Sequence, residues 1–422
     1  MKVFKFGGAS VNNVERIRNV HAILQSFSDE KIFIVVSAIG KTTNALEKVA
    51  EAFYQDGNAR ALELFAAIKD SHLDMARQLI GETATDTENA LKDVFTEVEW
   101  LIHDRPVREF NYYYDQIVCC GELLSSIILS GYLNHAGVTN NWIDVRDVLR
   151  TDNNFRDAAI DWSYTAQKTA EDILPLFGER NIVVSQGFIG ATSENESTTL
   201  GREGSDYTAA VFANLLAAES LTIWKDVEGV MNADPKAFPN AVFIRELNYD
   251  EVIEMAYYGA QVIHPKTIKP LQNKQIPLYV KCFLDPALPG TVIHNRSLKN
   301  LPPIIVLKGQ QALLHLHTKD FSFIGEKPIA ELYNLLAEIR IKPNLIQTGA
   351  VSVHVCIDDA QTKVEQLGEM AIQNFDVHIE RELTMITIRH YTNEVIAEMT
   401  GKKNVRLRQQ TPETAQFIID NR

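Results

Sequence analysis

Strand-length apolar runs recur between stretches of helical periodicity through the first 295 residues, and this alternation restricts the chain to a layered α/β domain with a largely parallel sheet. The runs are Val3 to Phe6, Ile32 to Ser37, Asn141 to Asp144, Ile182 to Gln186, Leu221 to Trp224 and Leu278 to Lys281. Between them, Val14 to Phe27, Ala45 to Gln55, Ile117 to Asn134 and Tyr207 to Ala218 carry apolar residues at helical spacing. Arg60 to Val118 is helical in pattern without a clear strand and reads as an insertion.

The pattern changes between Leu298 and Ile305, where Pro302-Pro303 forbids a helix and marks a junction. Two short units follow in tandem. The first has a strand Gln311 to His317, a helix Ile329 to Arg340 and a strand Leu345 to Ile357. The second has a helix Thr362 to Asn374, strands Val377 to Glu380 and Thr384 to Arg389, a helix Asn393 to Met399, a strand Val405 to Gln409 and a helix Pro412 to Asp420. Their shared pattern suggests an internal repeat. At 422 residues the chain exceeds what one core usually serves, and the expected domains are 1–297 and 298–422.

Composition narrows the function classes. A net charge of −14 disfavours nucleic acid and anionic membranes, both of which need basic surface. Apolar stretches such as Ile32 to Ile39 stop short of the roughly 18 to 20 residues that span a bilayer, so no membrane span is expected. The alternating start Met1-Lys-Val-Phe-Lys-Phe6 lacks a signal-peptide pattern, which points to the cytoplasm. Four cysteines, two of them adjacent at Cys119 and Cys120, form neither a disulfide framework nor a spaced metal-ligand set. An acidic protein that binds anionic substrates must gather its positive charge locally.

Three loops offer such charge. Lys5-Phe-Gly-Gly-Ala-Ser10 ends the first strand; its paired glycines let backbone approach a phosphate and Lys5 adds a full positive charge. It is neither a Walker A motif nor a G-x-G-x-x-G fingerprint, so an ordinary tight turn is the alternative. Gly201-Arg-Glu-Gly-Ser-Asp-Tyr-Thr-Ala-Ala210 runs into an apolar helix, where Ser205 and Asp206 suit a plain N-terminal cap. Arg202 is less readily structural, because its planar fork suits a carboxylate. Trp224 to Lys236 leaves a strand and turns through Gly229, as a nucleotide platform or as a polar loop. His264 before Pro265 has no metal-ligand spacing and reads as a packed or capping residue, and His315 and His317 read as strand-core residues.

Together these segments resemble the aspartokinase branch of the amino-acid kinase family over essentially the whole chain. The resemblance rests on Lys5 to Ser10, Ser37 to Asn44, Gly121-Glu122, Gly201 to Ala210, Lys225 to Pro235 and Gly259 to Pro265. It implies a three-layer αβα sandwich with a mainly parallel central sheet, followed by a pair of α+β ferredoxin-like ACT modules. The implied reaction is ATP-dependent phosphorylation of the L-aspartate side-chain carboxylate, with ATP as co-substrate and Mg2+. Within the same fold, a related carboxylate kinase and a catalytically silent amino-acid sensor are the alternatives.

Carried over by position, the resemblance assigns catalysis to Lys5, Gly8 and Asp206, and the ATP phosphates to Lys5, Gly7, Gly8 and Ser10. Ser37, Thr43, Glu122, Arg202 and Ser205, with Asp206, would surround aspartate. Lys225, Asp226, Met231 and Lys236 would lie along the nucleotide, and no protein metal-ligand cluster is implied. Asn344, Ile346 and Gln347 resemble an effector-binding turn for lysine or threonine, and family members commonly form homodimers or larger homo-oligomers. Ala9, Lys225, Met231 and Gln261 depart from the usual pattern, which carries threonine, threonine, tyrosine and lysine there.

A carboxylate with a solution pKa of about 4 is already ionised at neutral pH, so its attack on phosphorus needs no general base. Positioning and charge neutralisation are what the protein must supply. On this reading Lys5→Ala cuts turnover by orders of magnitude while barely changing folding.

Overall fold

The computed structural model describes residues 1–420 apart from 261, 299, 321 and 402, so the departure at Gln261 lies outside the described residues. The chain divides into two compact units. The first holds Met1–Val230, Phe243–Ile253 and Val262–Ser297; the second holds Met231–Val242, Glu254–Gln261 and Leu298–Arg422.

In the first unit, eight strands among the described residues form one sheet. Their order is Glu246–Asn248, Thr291–His294, Leu278–Cys282, Ser220–Lys225, Lys2–Phe6, Ile32–Val36, Ile182–Gln186 and Asn141–Trp142. Every pairing is parallel except that of Leu278–Cys282 with Thr291–His294. Ile32–Val36 and Ile182–Gln186 are buried at every position, as strands covered by helices on both faces must be. Gly204–Leu215 lies against Lys2–Phe6, Ile32–Val36 and Ser220–Lys225, and Cys120–His135 lies against Ile182–Gln186.

The insertion forms the helices Asn58–Ile80, Thr85–His103 and Phe110–Val118. The last runs almost unbroken into Cys120–His135, so the helix expected from Ile117 starts earlier. Phe110–His135 has the length and mean hydropathy, 1.5, of a membrane span, yet 89% of that window is buried inside the protein. A helix apolar all round is here a core helix.

In the second unit, six strands among the described residues form an antiparallel sheet. Their order is Leu345–Thr348, Ser352–Asp358, Ile304–Thr318, Phe375–Arg389, Thr414–Asp420 and Asn404–Gln410. Two strands are far longer than the sequence pattern implied. Ile304–Thr318 and Phe375–Arg389 run through both modules, with register shifts between Lys308 and Leu313. Helices Glu326–Glu338 and Gln361–Ala371 cover Leu314, Leu316, Val355 and Ile357 in one half. Asn393–Thr400 covers Ile386, Ile388, Phe417 and Ile419 in the other.

Three expectations need correction. Leu345 to Ile357 is two antiparallel strands, turned where the Gly349 amide donates to the Ser352 carbonyl at 2.7 Å. The C-terminal helix is the strand Thr414–Asp420, buried at every residue; a short, wholly buried strand carries no alternation to separate it from a buried helix. His315 and His317 do not join the core, because Leu314 and Leu316 between them take that face. His315 instead meets His354 (Nδ1 to Nδ1, 2.9 Å) and Glu380 (Nε2 to Oε1, 2.8 Å), and His317 is exposed.

The loops after the first two parallel strands meet through Gly8. A β-carbon there would sit 2.6 Å from the Ala38 carbonyl oxygen and 3.0 Å from that of Gly40, and the Gly40 amide donates to the Gly8 carbonyl at 3.1 Å. The obstacles are backbone and cannot swing away. Gly8→Ala should therefore destabilise the fold by about 2 kcal/mol, read as a lower urea midpoint with an unchanged slope; an unchanged midpoint would show that the loops do not depend on this approach.

Candidate active site

Lys5, Ser37 and Phe188 sit at or just beyond the carboxyl ends of three adjacent parallel strands, where open α/β sheets gather ligands. They line a cleft of about 420 Å³ with Thr43, Glu122, Thr199, Arg202, Ser205 and Asp206 among its other walls. Residues from five separate sequence segments thus converge on one space. Every residue expected to surround aspartate is among them, together with Lys5 and Asp206 of the three expected catalytic residues; the third, Gly8, is not in the cleft lining.

The helix Gly204–Leu215 begins unusually. Its N-cap is Glu203, in the left-handed region at φ 55°, and no side chain caps it. Ser205 and Asp206 are inside the first turn, so the plain capping role fails for both. Gly187 explains how Ser205 reaches the cleft, since a β-carbon on Gly187 would fall 2.5 Å from that of Ser205. Asp206 Oδ1 lies 2.7 Å from the Lys5 ammonium, with side chains 6% and 12% exposed. Burial pushes the Asp206 carboxyl up, but Lys5 and Lys225 outweigh it and hold the group below its ordinary value.

Glu122 is the opposite case. It is 2% exposed; Oε1 accepts the Ala38 amide at 3.2 Å, while Oε2 is buried without a hydrogen-bond partner. Burial raises its pKa to about 8 against the weaker pull of the Ala38 amide and Lys5. A buried, half-satisfied carboxyl beside a cleft is set up to receive a cation. Arg202, by contrast, is exposed and makes no salt bridge among the described residues.

The expected nucleotide residues are placed less uniformly. A β-carbon on Gly7 would lie 3.4 Å from the Lys5 amine. Ser10 is 1% exposed and its hydroxyl donates to the Trp224 carbonyl at 3.3 Å, tying the first loop to the strand Ser220–Lys225. Lys225 Nζ donates to the Val262 carbonyl at 2.6 Å, and Asp226 is exposed. Met231 and the exposed Lys236 belong to the second unit. His264 caps Pro265–Lys274 by accepting the Lys266 amide at 3.2 Å, as the capping reading had it.

Sequence reasoning missed Tyr114, Arg156, Phe188 and Thr199, which also line the cleft. Tyr114 and Thr199 flank the buried Asp115, whose carboxylate accepts from the Thr199 amide and hydroxyl and from the Arg156 amide at 2.8 to 3.0 Å. The aromatic run Phe110-Asn-Tyr-Tyr-Tyr114 was the one signal that pointed there.

The amino acid kinase family model matches residues 1–282. Lysine-sensitive aspartokinase 3 of Escherichia coli is 33% identical over 362 residues, 84% of this chain and 78% of that protein. Chloroplastic aspartokinase 2 of Arabidopsis thaliana is 32% identical over 374 residues, 85% of this chain, which spans 66% of the plant protein's length. The chain belongs to the amino acid kinase family, on its aspartokinase branch. The crystal structure of E. coli aspartokinase III in complex with aspartate and ADP superposes with a TM-score of 0.83 at 28% identity, over 99% of this chain and 96% of that one. The mainly parallel sheet and the C-terminal antiparallel region of this family member accordingly follow the aspartokinase architecture.

Two predictions come from the cleft of this aspartokinase relative. Lys5→Ala is not neutral for folding, because it leaves Asp206 buried and uncompensated: stability should fall by about 3 kcal/mol, and adding Asp206→Asn should recover part of it in urea unfolding. If Lys5→Ala alone unfolds like the parent, the pair is not a structural contact. Glu122 gives a pH signature. Its folded pKa of about 8 exceeds its ordinary 4.5. The stability linked to it is therefore complete below the unfolded value and drains by about 1.4 kcal/mol per pH unit as pH rises towards the folded one. Glu122→Gln removes that titration, so its unfolding free energy relative to the parent should climb between pH about 5 and about 8; a flat difference would mean that Glu122 is ionised in the fold.

Proposed function

We propose that the chain transfers the γ-phosphoryl group of ATP to the side-chain carboxylate of L-aspartate, giving 4-phospho-L-aspartate and ADP, the first step towards lysine, threonine, methionine and isoleucine. The observation that carries this reading is the cleft itself, which joins a partly buried lysine, an exposed arginine without a salt bridge among the described residues and a buried carboxyl with one unpartnered oxygen. These match an amino acid with two carboxylates and one ammonium. Arg202 takes the α-carboxylate by two parallel hydrogen bonds. Glu122 Oε2 takes the ammonium and gives up its proton, and Ser37, Thr43 and Ser205 supply hydroxyls around the remaining carboxylate.

In the transfer, a carboxylate oxygen bonds to the γ-phosphorus as the bond from phosphorus to the β,γ-bridging oxygen breaks, and that electron pair leaves on ADP. Lys5 and the amides of Gly7 and Gly8 bear on the developing charge, and Ser10 holds their loop through Trp224. Mg2+ supplies charge neutralisation across the phosphates when bound. Asp206, the carboxylate that lines the cleft beside Lys5, is the residue that would hold the ion. Lys225 and Asp226 are assigned to the nucleotide.

Residues 1–297 are assigned to catalysis and 298–422 to a pair of ACT-like modules that take an amino-acid effector, lysine or threonine. Asn344 has its amide group engaged by Lys308, Gln311 and Asp358, and Ile346 packs into the helix-covered core. Gln347, whose Oε1 is buried without a partner, is the side chain of that turn left to meet a ligand. The protein acts in the cytoplasm as a homodimer or larger homo-oligomer.

A coupled ADP-release assay should give turnover with aspartate and background rates with glutamate or no amino acid. Arg202→Ala should raise the aspartate KM by roughly 10- to 100-fold. Calorimetry of aspartate binding at neutral pH in buffers of different ionisation heat should report release of about one proton per aspartate, lost in Glu122→Gln. ADP release that ignores aspartate would end the reading.

A further inference from the structure

Arg156 is a residue that neither motif nor resemblance singled out, and its surroundings are hard to explain by structure alone. It sits at φ 72°, in the left-handed region that favours glycine, although it carries a long side chain. Its amide is fixed by Asp115 Oδ2 at 3.0 Å, and the same carboxylate holds Thr199 on the cleft wall. Its guanidinium lies over the Tyr114 ring, 4.1 Å from the centroid, and the Tyr114 hydroxyl is in turn anchored on Glu47 Oε1 at 2.6 Å. Among the described residues the guanidinium has one hydrogen-bond contact, a long one of 3.5 Å to Asn111 Oδ1, and no salt bridge. Both Tyr114 and Arg156 line the cleft.

We propose that Arg156 is a second carboxylate-binding arginine of this cleft, which shares the substrate's α-carboxylate with Arg202 and so selects for it. This rests on the aspartate kinase reading. The side of the cleft is set by Gly201, next to Arg202: a β-carbon on Gly201 would lie 3.2 Å from the Arg156 carbonyl oxygen. The opposite role, meeting the phosphate, belongs to Lys5, which is engaged with Asp206. The ring beneath the guanidinium holds its plane still, so little freedom is lost when a carboxylate arrives. The exposed guanidinium makes no salt bridge among the described residues, although its charge favours the ionised form of the nearby Asp115 carboxyl, so its donors stay available to a carboxylate that enters the cleft.

The test compares aspartate with its α-amide, which keeps the ammonium and the reacting carboxylate but has no α-carboxylate charge, in the parent and in Arg156→Gly and Arg156→Lys. Glycine suits φ 72°, so the first variant should melt no lower than the parent, which removes misfolding as an explanation. In Arg156→Gly the aspartate KM should rise about tenfold, with a smaller change in kcat and in the KM for ATP. The preference for aspartate over the α-amide should shrink by a similar factor. Arg156→Lys keeps the charge without the planar stack and should fall between the two. An unchanged aspartate KM overturns the proposal, and so does a loss that is equal for both substrates, since that would be a general disturbance of the cleft. If the parent enzyme itself fails to phosphorylate aspartate, the aspartate kinase reading falls, and this one with it.

Discussion

The buried ion pair between Lys5 and Asp206 is the contact on which the site depends. Taking two charges out of water is expensive, and replacing such a pair by apolar residues is often neutral or stabilising. Its presence is therefore not explained by stability. What it achieves is position: it joins the end of the central strand Lys2–Phe6 to the first turn of the helix Gly204–Leu215. The helix contributes as well, because a carboxylate in its first turn meets the positive end of the helix dipole. Ser205 drawn in against Gly187 and Gly8 against Ala38 bring the loops together at the same end of the sheet.

Much of that convergence was legible in the sequence, for definite reasons. The buried parallel strands announce themselves as apolar runs, and the loops after them carry glycine beside lysine or arginine, a combination with few purely structural uses. What stayed hidden shares one physical cause: it depends on which segments meet in space. Tyr114 and Arg156 belong to a helix of the insertion and to a turn 42 residues later, and they meet because the Asp115 carboxylate fixes that turn and ties it to Thr199 while the Arg156 guanidinium lies over the Tyr114 ring. The same limit explains Thr414–Asp420. Its apolar run fixes burial but not conformation, and the antiparallel partners that decide it, Phe375–Arg389 and Asn404–Gln410, are remote or weakly patterned. His315 and His317 show the converse error, since a strand with two faces lets histidines alternate with a leucine core.

The chain carries a net charge of −14, yet its proposed substrates are anions. The cleft resolves this conflict by two devices. One is the concentration of Lys5, Arg156 and Arg202 on walls that low-dielectric protein surrounds, where a local field is focused rather than averaged with the acidic surface. The other is the neutrality of Glu122. With its pKa near 8, the empty cleft at neutral pH does not present that negative charge to an approaching carboxylate or phosphate. On the proposed reading, an arriving ammonium would favour ionisation, and the new negative charge would then sit where a positive one balances it. A permanently ionised carboxylate at that position would bind the ammonium as well but would repel the rest of the substrate on the way in. On the proposed aspartate kinase reading, burial of Glu122, which by itself is a cost to the fold, would thus let one cleft attract anions and still read an amine.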